Sequence, residues 1–223
     1  MMIDSIDKKE ALRYLGIKGE PDDSTRELLD ICEKELLKSA SPKFLFRNFD
    51  ISEISEDNIK LRDCSLVLYG KDIRNHLKGC KKAVLMCATL GTGADTLIRK
   101  MQITDMARAV ITDALSSAFI EQVCDYAEGE IKKSAIGFSL TDRFSPGYGD
   151  LPIEQQKDFL LLLDAQKKIG LCATDNMLLT PKKSVTAIIG LSENELISAH
   201  RSCDECNLKN SCRYRKENNY CGK

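Results

Sequence analysis

Three stretches of the 223-residue chain hold residues whose types and spacing could do chemistry. The first is Arg143-Phe144-Ser145-Pro146-Gly147-Tyr148. Pro146 fixes its own backbone φ, and Gly147 can take angles closed to other residues. An arginine on such a rigid loop offers a planar, permanent cation suited to a carboxylate. The alternative is that Arg143 pairs with an acid of its own loop, Asp142 or Asp150. The second stretch is Cys203-x-x-Cys206-x5-Cys212, followed by Cys221. Two thiolates two residues apart can share one metal, and two more complete four ligands, so a zinc ion or an iron–sulfur cluster fits. Arg201, Arg213 and Arg215 nearby favour thiolates or a reduced cluster, and His200 is either a spare ligand or, as is commoner for a lone His, a surface residue. Free thiols in a tail are the alternative. The third stretch, Leu90-Gly91-Thr92-Gly93-Ala94, follows an apolar run. It lacks the third glycine of a dinucleotide loop and the Gly-Lys-Ser/Thr of a phosphate loop, so a strand-to-helix turn is expected there.

The elements that must position these residues are readable from periodicity and punctuation. Residues 4 to 15 form one apolar helical face and end at Gly16. A second helix starts at Asp22, Asp23 or Ser24 and stops before Pro42. Residues 43 to 70 alternate as extended chain, 71 to 79 read as a short helix, and Lys82 to Ala88 as a strand. A long helical stretch rich in small residues runs from Ala94 to Lys133, broken near Ile103 or Thr104. Phe138 to Thr141 reads as a strand and Ile153 to Ile169 as a helix stopped by Gly170. Met177 to Leu179 and Ser184 to Leu191 read as strands around Pro181-Lys182-Lys183. Strands and helices do not alternate regularly, which predicts an α+β fold.

Composition narrows the function. Apolar residues make up 43%, enough for a real core. The 33 basic and 34 acidic side chains nearly cancel and there is no Trp, so neither nucleic acid nor an anionic membrane surface is expected as partner. The charged start, Met1 to Glu10, and the shortness of the apolar runs predict a soluble, cytoplasmic protein. In that setting Cys32, Cys64, Cys80, Cys87, Cys124 and Cys172 are expected to act mostly as small packing residues.

The Arg143 loop resembles the Arg-x-x-x-Gly-Tyr motif of the activation (reactivation) domain of cobalamin-dependent methionine synthase. The segment Gly147-Tyr148-Gly149-Asp150-Leu151-Pro152 is similar to that family's Gly-Tyr-x-x-x-Pro. Thr180-Pro181-Lys182-Lys183-Ser184-Val185-Thr186-Ala187 is similar to its Pro-x-x-Ser-Val-Ser-Gly turn. Glu121-Gln122-Val123-Cys124-Asp125-Tyr126 is similar to its Glu-x-x-x-Glu-Tyr. The likeness spans roughly residues 80 to 191, with the segments in the family's order. Two positions depart from the pattern. Gly137 stands where the family has an acidic contact six residues before the arginine, and no Tyr follows the Ser-Val strand until Tyr214.

The resemblance implies an activation-domain-like fold, a twisted antiparallel sheet flanked by helices. It would span residues 1–198, with helices in 1–42 as an extension and 199–223 as a cysteine-rich tail. It implies S-adenosylmethionine as ligand, held by Arg143, Pro146, Gly147, Tyr148 and Glu121, with Glu121 on the ammonium and Tyr148 near the corrin face. No residue is implied as catalytic. The function implied is a stand-alone reactivation subunit within a methyltransferase system, supporting reductive methylation of cob(II)alamin on a separate chain. The chain has no Asp-x-His-x-x-Gly corrinoid motif, and its only histidines are His76 and His200. The implied partners are a methionine synthase chain or other corrinoid protein, and an electron donor such as flavodoxin or ferredoxin. Two alternatives stand beside this: a corrinoid-docking module that has lost the ligand, and a redox protein acting through Cys203, Cys206, Cys212 and Cys221.

Overall fold

The computed structural model describes residues 3–194. Cys203, Cys206, Cys212, Cys221 and His200 lie outside the described residues. Two helices lead in, α1 (Lys8–Leu15) and α2 (Asp23–Ser39). Both start on an aspartate cap: Asp7 accepts from the Glu10 amide and Asp22 from the Thr25 amide. Then come β1 (Lys43–Ile54), β2 (Asn58–Leu61), β3 (Val67–Tyr69), α3 (Lys71–His76) and β4 (Lys82–Thr89). They are followed by α4 (Thr92–Thr104), α5 (Met106–Ser134) and β5 (Ser139–Leu140). The chain continues through α6 (Gln155–Leu163), α7 (Ala165–Ile169), β6 (Cys172–Ala173), β7 (Leu179–Thr180) and β8 (Ser184–Ser192).

Six strands form one sheet in the order β3-β2-β1-β4-β8-β5, and every pairing is antiparallel. The expected α+β architecture is present: the sheet curls, with helices on both faces. Central β4 shows why. It is buried from Ala83 to Thr89, and alternate residues feed two different cores. Val84, Met86 and Ala88 pack with α2 and α5 through Leu36, Leu115 and Phe119. Ala83, Leu85 and Cys87 pack with α3, α6 and α7 through Ile73, Phe159 and Ala165. Truncating a fully buried Leu85 to Ala would cost about 2–5 kcal/mol.

Two local expectations are corrected, and the expected break in the long helix is placed. The helix expected over 153–169 is split at Asp164, which adopts a left-handed φ of 55° and accepts neither helix as a continuation of the other. The short strand β6, not anticipated, pairs with β7 in a separate hairpin. The break in the long helix falls at Asp105, whose extended backbone ends α4 and whose side chain caps α5 through the Arg108 amide. The turn at Leu90 to Ala94 is structural. A Cβ on Gly93 would overlap the Ser39 carbonyl, so glycine lets α4 start against the end of α2.

Candidate functional site

Helix α5 supplies one wall of the site. Its middle and end carry Glu121, Asp125 and Glu128 at spacings of four and three residues, which puts all three carboxylates on one face. One and two turns earlier the same face carries Ser117 and Asp113. This strip lies against the edge of the sheet formed by β8 and the segment after β5.

That segment carries Arg143. Leu140 pairs with Leu191 in the sheet, and Phe144 forms an isolated bridge with Ile188. Between these points one strand advances four residues and the other three, so one extra residue is accommodated, as in a β-bulge. The bulge is held on both sides. The Thr141 amide donates to the Gly190 carbonyl at 3.0 Å. The Thr141 hydroxyl accepts from the Gly190 amide at 2.8 Å and lies 2.8 Å from Nε2 of His76. Phe144 then turns into the core beside the His76 ring, with centroids 5.1 Å apart. The extra residue re-aims the intervening side chain, and Arg143 reaches α5 instead of following the sheet's alternation.

At α5, Nη2 of Arg143 donates to Glu121 and to Asp125, each at 3.1 Å, and Nε lies 3.1 Å from Glu128. The side chain is 23% exposed, and its Nη1 is buried with no hydrogen-bond partner. Neither Asp142 nor Asp150 is among these partners, which goes against the alternative of a pair within the loop. Burial works against the Arg143 charge, but the Cys124 sulfur and the three carboxylates outweigh it and raise its pKa. Burial pushes the Glu128 carboxyl above the usual carboxylate range; Arg143 opposes this, while Asp125, Asp142 and Glu121 add to it. One cation faces three acids, so the cluster as ionised carries an excess of negative charge. Cys124 lies beneath it, and burial raises its thiol to about 12, a neutral packing residue at ordinary pH. Cys32, Cys80 and Cys87 are likewise buried, whereas Cys64 and Cys172 are half-buried.

The loop beyond Arg143 is fixed by its own bonds. The Gly147 amide donates to the Leu151 carbonyl at 2.9 Å, and the Tyr148 amide to the Ser145 carbonyl at 3.1 Å. Pro146 is buried, Gly147 is exposed with φ of 89°, and Tyr148 is 61% exposed. Asp150 accepts from the Lys71 and Asp72 amides at 2.7 and 2.9 Å, which ties the loop to the start of α3. Burial works against the Asp150 charge, but the Asp72 and Lys71 amides outweigh it and hold the carboxyl below its usual range. Buried Gln155 bonds the main chain at Val67 and Tyr69, and buried Gln156 bonds Met177 and Thr186. These glutamines, together with the buried Phe159, Leu160 and Leu163, seat α6.

The structure therefore brings Arg143 and Glu121 into contact and holds Pro146, Gly147 and Tyr148 on the adjoining loop. Asp125 and Glu128, which sequence reasoning missed as site residues, complete the cluster; their spacing from Glu121 on a helix was the available signal. Gly137, at the position of the family's second acid, is exposed with φ of 84°. Among the described residues no group of three or more His, Cys, Asp and Glu could hold a metal ion. No helix among them is long and apolar enough to cross a membrane.

Comparison with known proteins gives one kind of match. No family model matches the chain, and no curated protein matches it. Among solved structures, the chain is similar to the crystal structure of the MetH reactivation domain bound to AdoHcy, with a TM-score of 0.62. The match covers 83% of this chain and 73% of that one, at 15% sequence identity. With its six-stranded antiparallel sheet and flanking helices, this chain has the fold of the MetH reactivation domain.

Proposed function

We propose that this protein binds S-adenosylmethionine at the Arg143 cluster and serves as a reactivation subunit for a corrinoid-dependent methyltransferase, most directly a cobalamin-dependent methionine synthase. The observation that carries this reading is the pairing of Arg143 with Glu121 at 3.1 Å on a fold whose solved relative was crystallised with AdoHcy. An amino-acid zwitterion needs opposite charges side by side: a cation for its carboxylate and an anion for its ammonium. The negative surplus from Asp125 and Glu128 also suits a ligand that carries a sulfonium. Pro146 and Gly147 hold the loop so that its exposed backbone groups and the Tyr148 ring flank the ligand.

The sulfonium would make the methyl group electrophilic, and reduced cobalamin on a partner chain would supply the nucleophile. This chain supplies binding and orientation, with no proton to move at the transferred carbon. The exposed Tyr148 offers a ring at the surface that the corrinoid protein would meet. An electron donor such as flavodoxin or ferredoxin would serve the partner. Equilibrium dialysis with S-adenosylmethionine tests the assignment. Saturable binding is expected for the wild type and strong loss in Glu121→Gln; absence of binding at millimolar ligand would overturn it.

A second reading is favoured by one observation: Arg143 is already engaged by three carboxylates. In that reading the chain keeps the fold and docks a corrinoid protein without the ligand. Co-migration with a corrinoid protein in the absence of ligand binding would support it. We further propose that Cys203, Cys206, Cys212 and Cys221 bind zinc or an iron–sulfur cluster. Elemental analysis of anaerobically purified protein should find zinc or iron that Cys203→Ser with Cys206→Ser removes; no metal above background would contradict it.

A further inference from the structure

An arginine recognises a carboxylate best through two parallel N–H···O bonds, which need one of its two edges free: Nε with Nη2, or Nη1 with Nη2. In Arg143 neither edge is free. Nη2 is shared between Glu121 and Asp125, Nε is taken by Glu128, and Nη1 is buried. A ligand carboxylate therefore meets a guanidinium whose usable edges are already occupied by the protein's own carboxylates. Glu121 lies nearest the zwitterion reading, since it can turn to an ammonium. Asp125 and Glu128 have no such role assigned. Asp125 is exposed, and Glu128 is half-buried in a setting that disfavours its charge. Asp125, half exposed, can release Arg143 to water at modest cost, whereas half-buried Glu128 gives up the cation that offsets its burial and so competes more strongly.

Resting on the ligand reading above, we infer that Asp125 and Glu128 are competing counter-ions of Arg143, and that a ligand carboxylate binds by exchange with them. They set the preference of the site. A cationic ligand that lacks a carboxylate is attracted by the α5 acids and has nothing to displace. One that carries a carboxylate must compete, and gains when a competitor is removed. The charged groups facing Arg143 are Glu121, Asp125 and Glu128 from α5, with Asp142 beside it in the chain.

The test compares S-adenosylmethionine with its decarboxylated analogue, by equilibrium dialysis, on the wild type, Asp125→Asn and Glu128→Gln. The ratio of the two affinities cancels the attraction of the acids for the ligand's cationic groups. Exchange predicts that the preference for the carboxylate-bearing ligand rises about threefold in each variant, the scale of one partly exposed ion pair. Asp125 is half exposed and its amide can still accept from Arg143, so its variant keeps the fold even if the Glu128 variant does not. Saturable binding with an unchanged or lowered ratio would overturn the exchange and make the acids orienting groups for Arg143, leaving the ligand reading intact. Binding by the variants but not by the wild type would support it. Failure of all three proteins to bind either ligand would overturn the ligand reading, and this inference with it.

Discussion

The face of α5 that looks toward the sheet edge meets two cations, and they are held in opposite ways. At its start, Lys183 reaches the Asp113 carbonyl at 3.0 Å, the Asp113 carboxylate at 2.9 Å and the Ser117 hydroxyl at 2.9 Å. An ammonium has three donors, and all three have acceptors; the side chain is 15% exposed. At the other end, Arg143 has five N–H donors and spends three of them on Glu121, Asp125 and Glu128, leaving Nη1 buried without a partner. The Lys183 end is a closed joint that fastens the turn before β8. The Arg143 end holds more acid than it needs and a donor pair without partners, which is the arrangement the proposed exchange requires. The same helix face thus separates a structural ion pair from a candidate binding one by how completely the donors are satisfied.

The largest expected effect is on ligand binding at the Arg143 end. Arg143→Ala should weaken S-adenosylmethionine binding about 100-fold or more, since it leaves the ligand carboxylate without a charged partner. It should also lower thermal stability, because three clustered carboxylates, one of them half-buried, lose the cation they share. Lys183→Ala should differ in leaving the binding end intact. It breaks a satisfied, mostly buried pair at a cost of about 1–2 kcal/mol. For a chain of this size that lowers the Tm by roughly 2–8 °C, with ligand affinity little changed. Equal effects of the two substitutions on ligand affinity would break the comparison.

Smaller effects follow from two carboxylates with opposite shifts. Asp150 is held below its usual range, so its contribution to stability is present above about pH 4 and is lost as pH falls through its folded pKa. Thermal melts of Asp150→Asn should lie below wild type at pH 7 and converge with it at low pH. Glu128 is shifted the other way. Its burial penalty is present in full above its raised folded pKa and disappears once pH falls below the ordinary carboxylate value, about 4.3. Glu128→Gln should therefore melt slightly higher than wild type at pH 7 to 8, with the gain shrinking toward pH 4.

Much of the scaffold was legible in the sequence because its signals are local. Asp22 caps α2, Gly170 stops α7, and Lys82 to Ala88 reads as a buried strand from its continuous apolar run. Asp105 ends one helix and caps the next, one residue from the expected break. What stayed hidden depends on pairing. Nothing in Leu163-Asp164-Ala165 marks a left-handed residue, since no glycine stands there. The extra residue between Leu140 and Phe144 exists only relative to β8. The loop residues Arg143, Pro146, Gly147 and Tyr148 were legible as a motif, and Glu121 through the helical segment it heads. The partners of Arg143 were not, because they lie 15 to 22 residues away on a helix whose orientation the packing decides. Asp150 looked like a partner for Arg143 by proximity in sequence, yet it serves the first amides of α3.

The central claim is that the open, over-acidified end of the α5 face binds a zwitterionic sulfonium ligand and the closed end does not take part. Calorimetric titration of S-adenosylmethionine into the wild type, Arg143→Ala and Lys183→Ala tests it most directly. The account predicts saturable heat in the wild type, its loss in Arg143→Ala and its retention in folded Lys183→Ala. No saturable heat in the wild type, or equal binding by the wild type and Arg143→Ala, would contradict it.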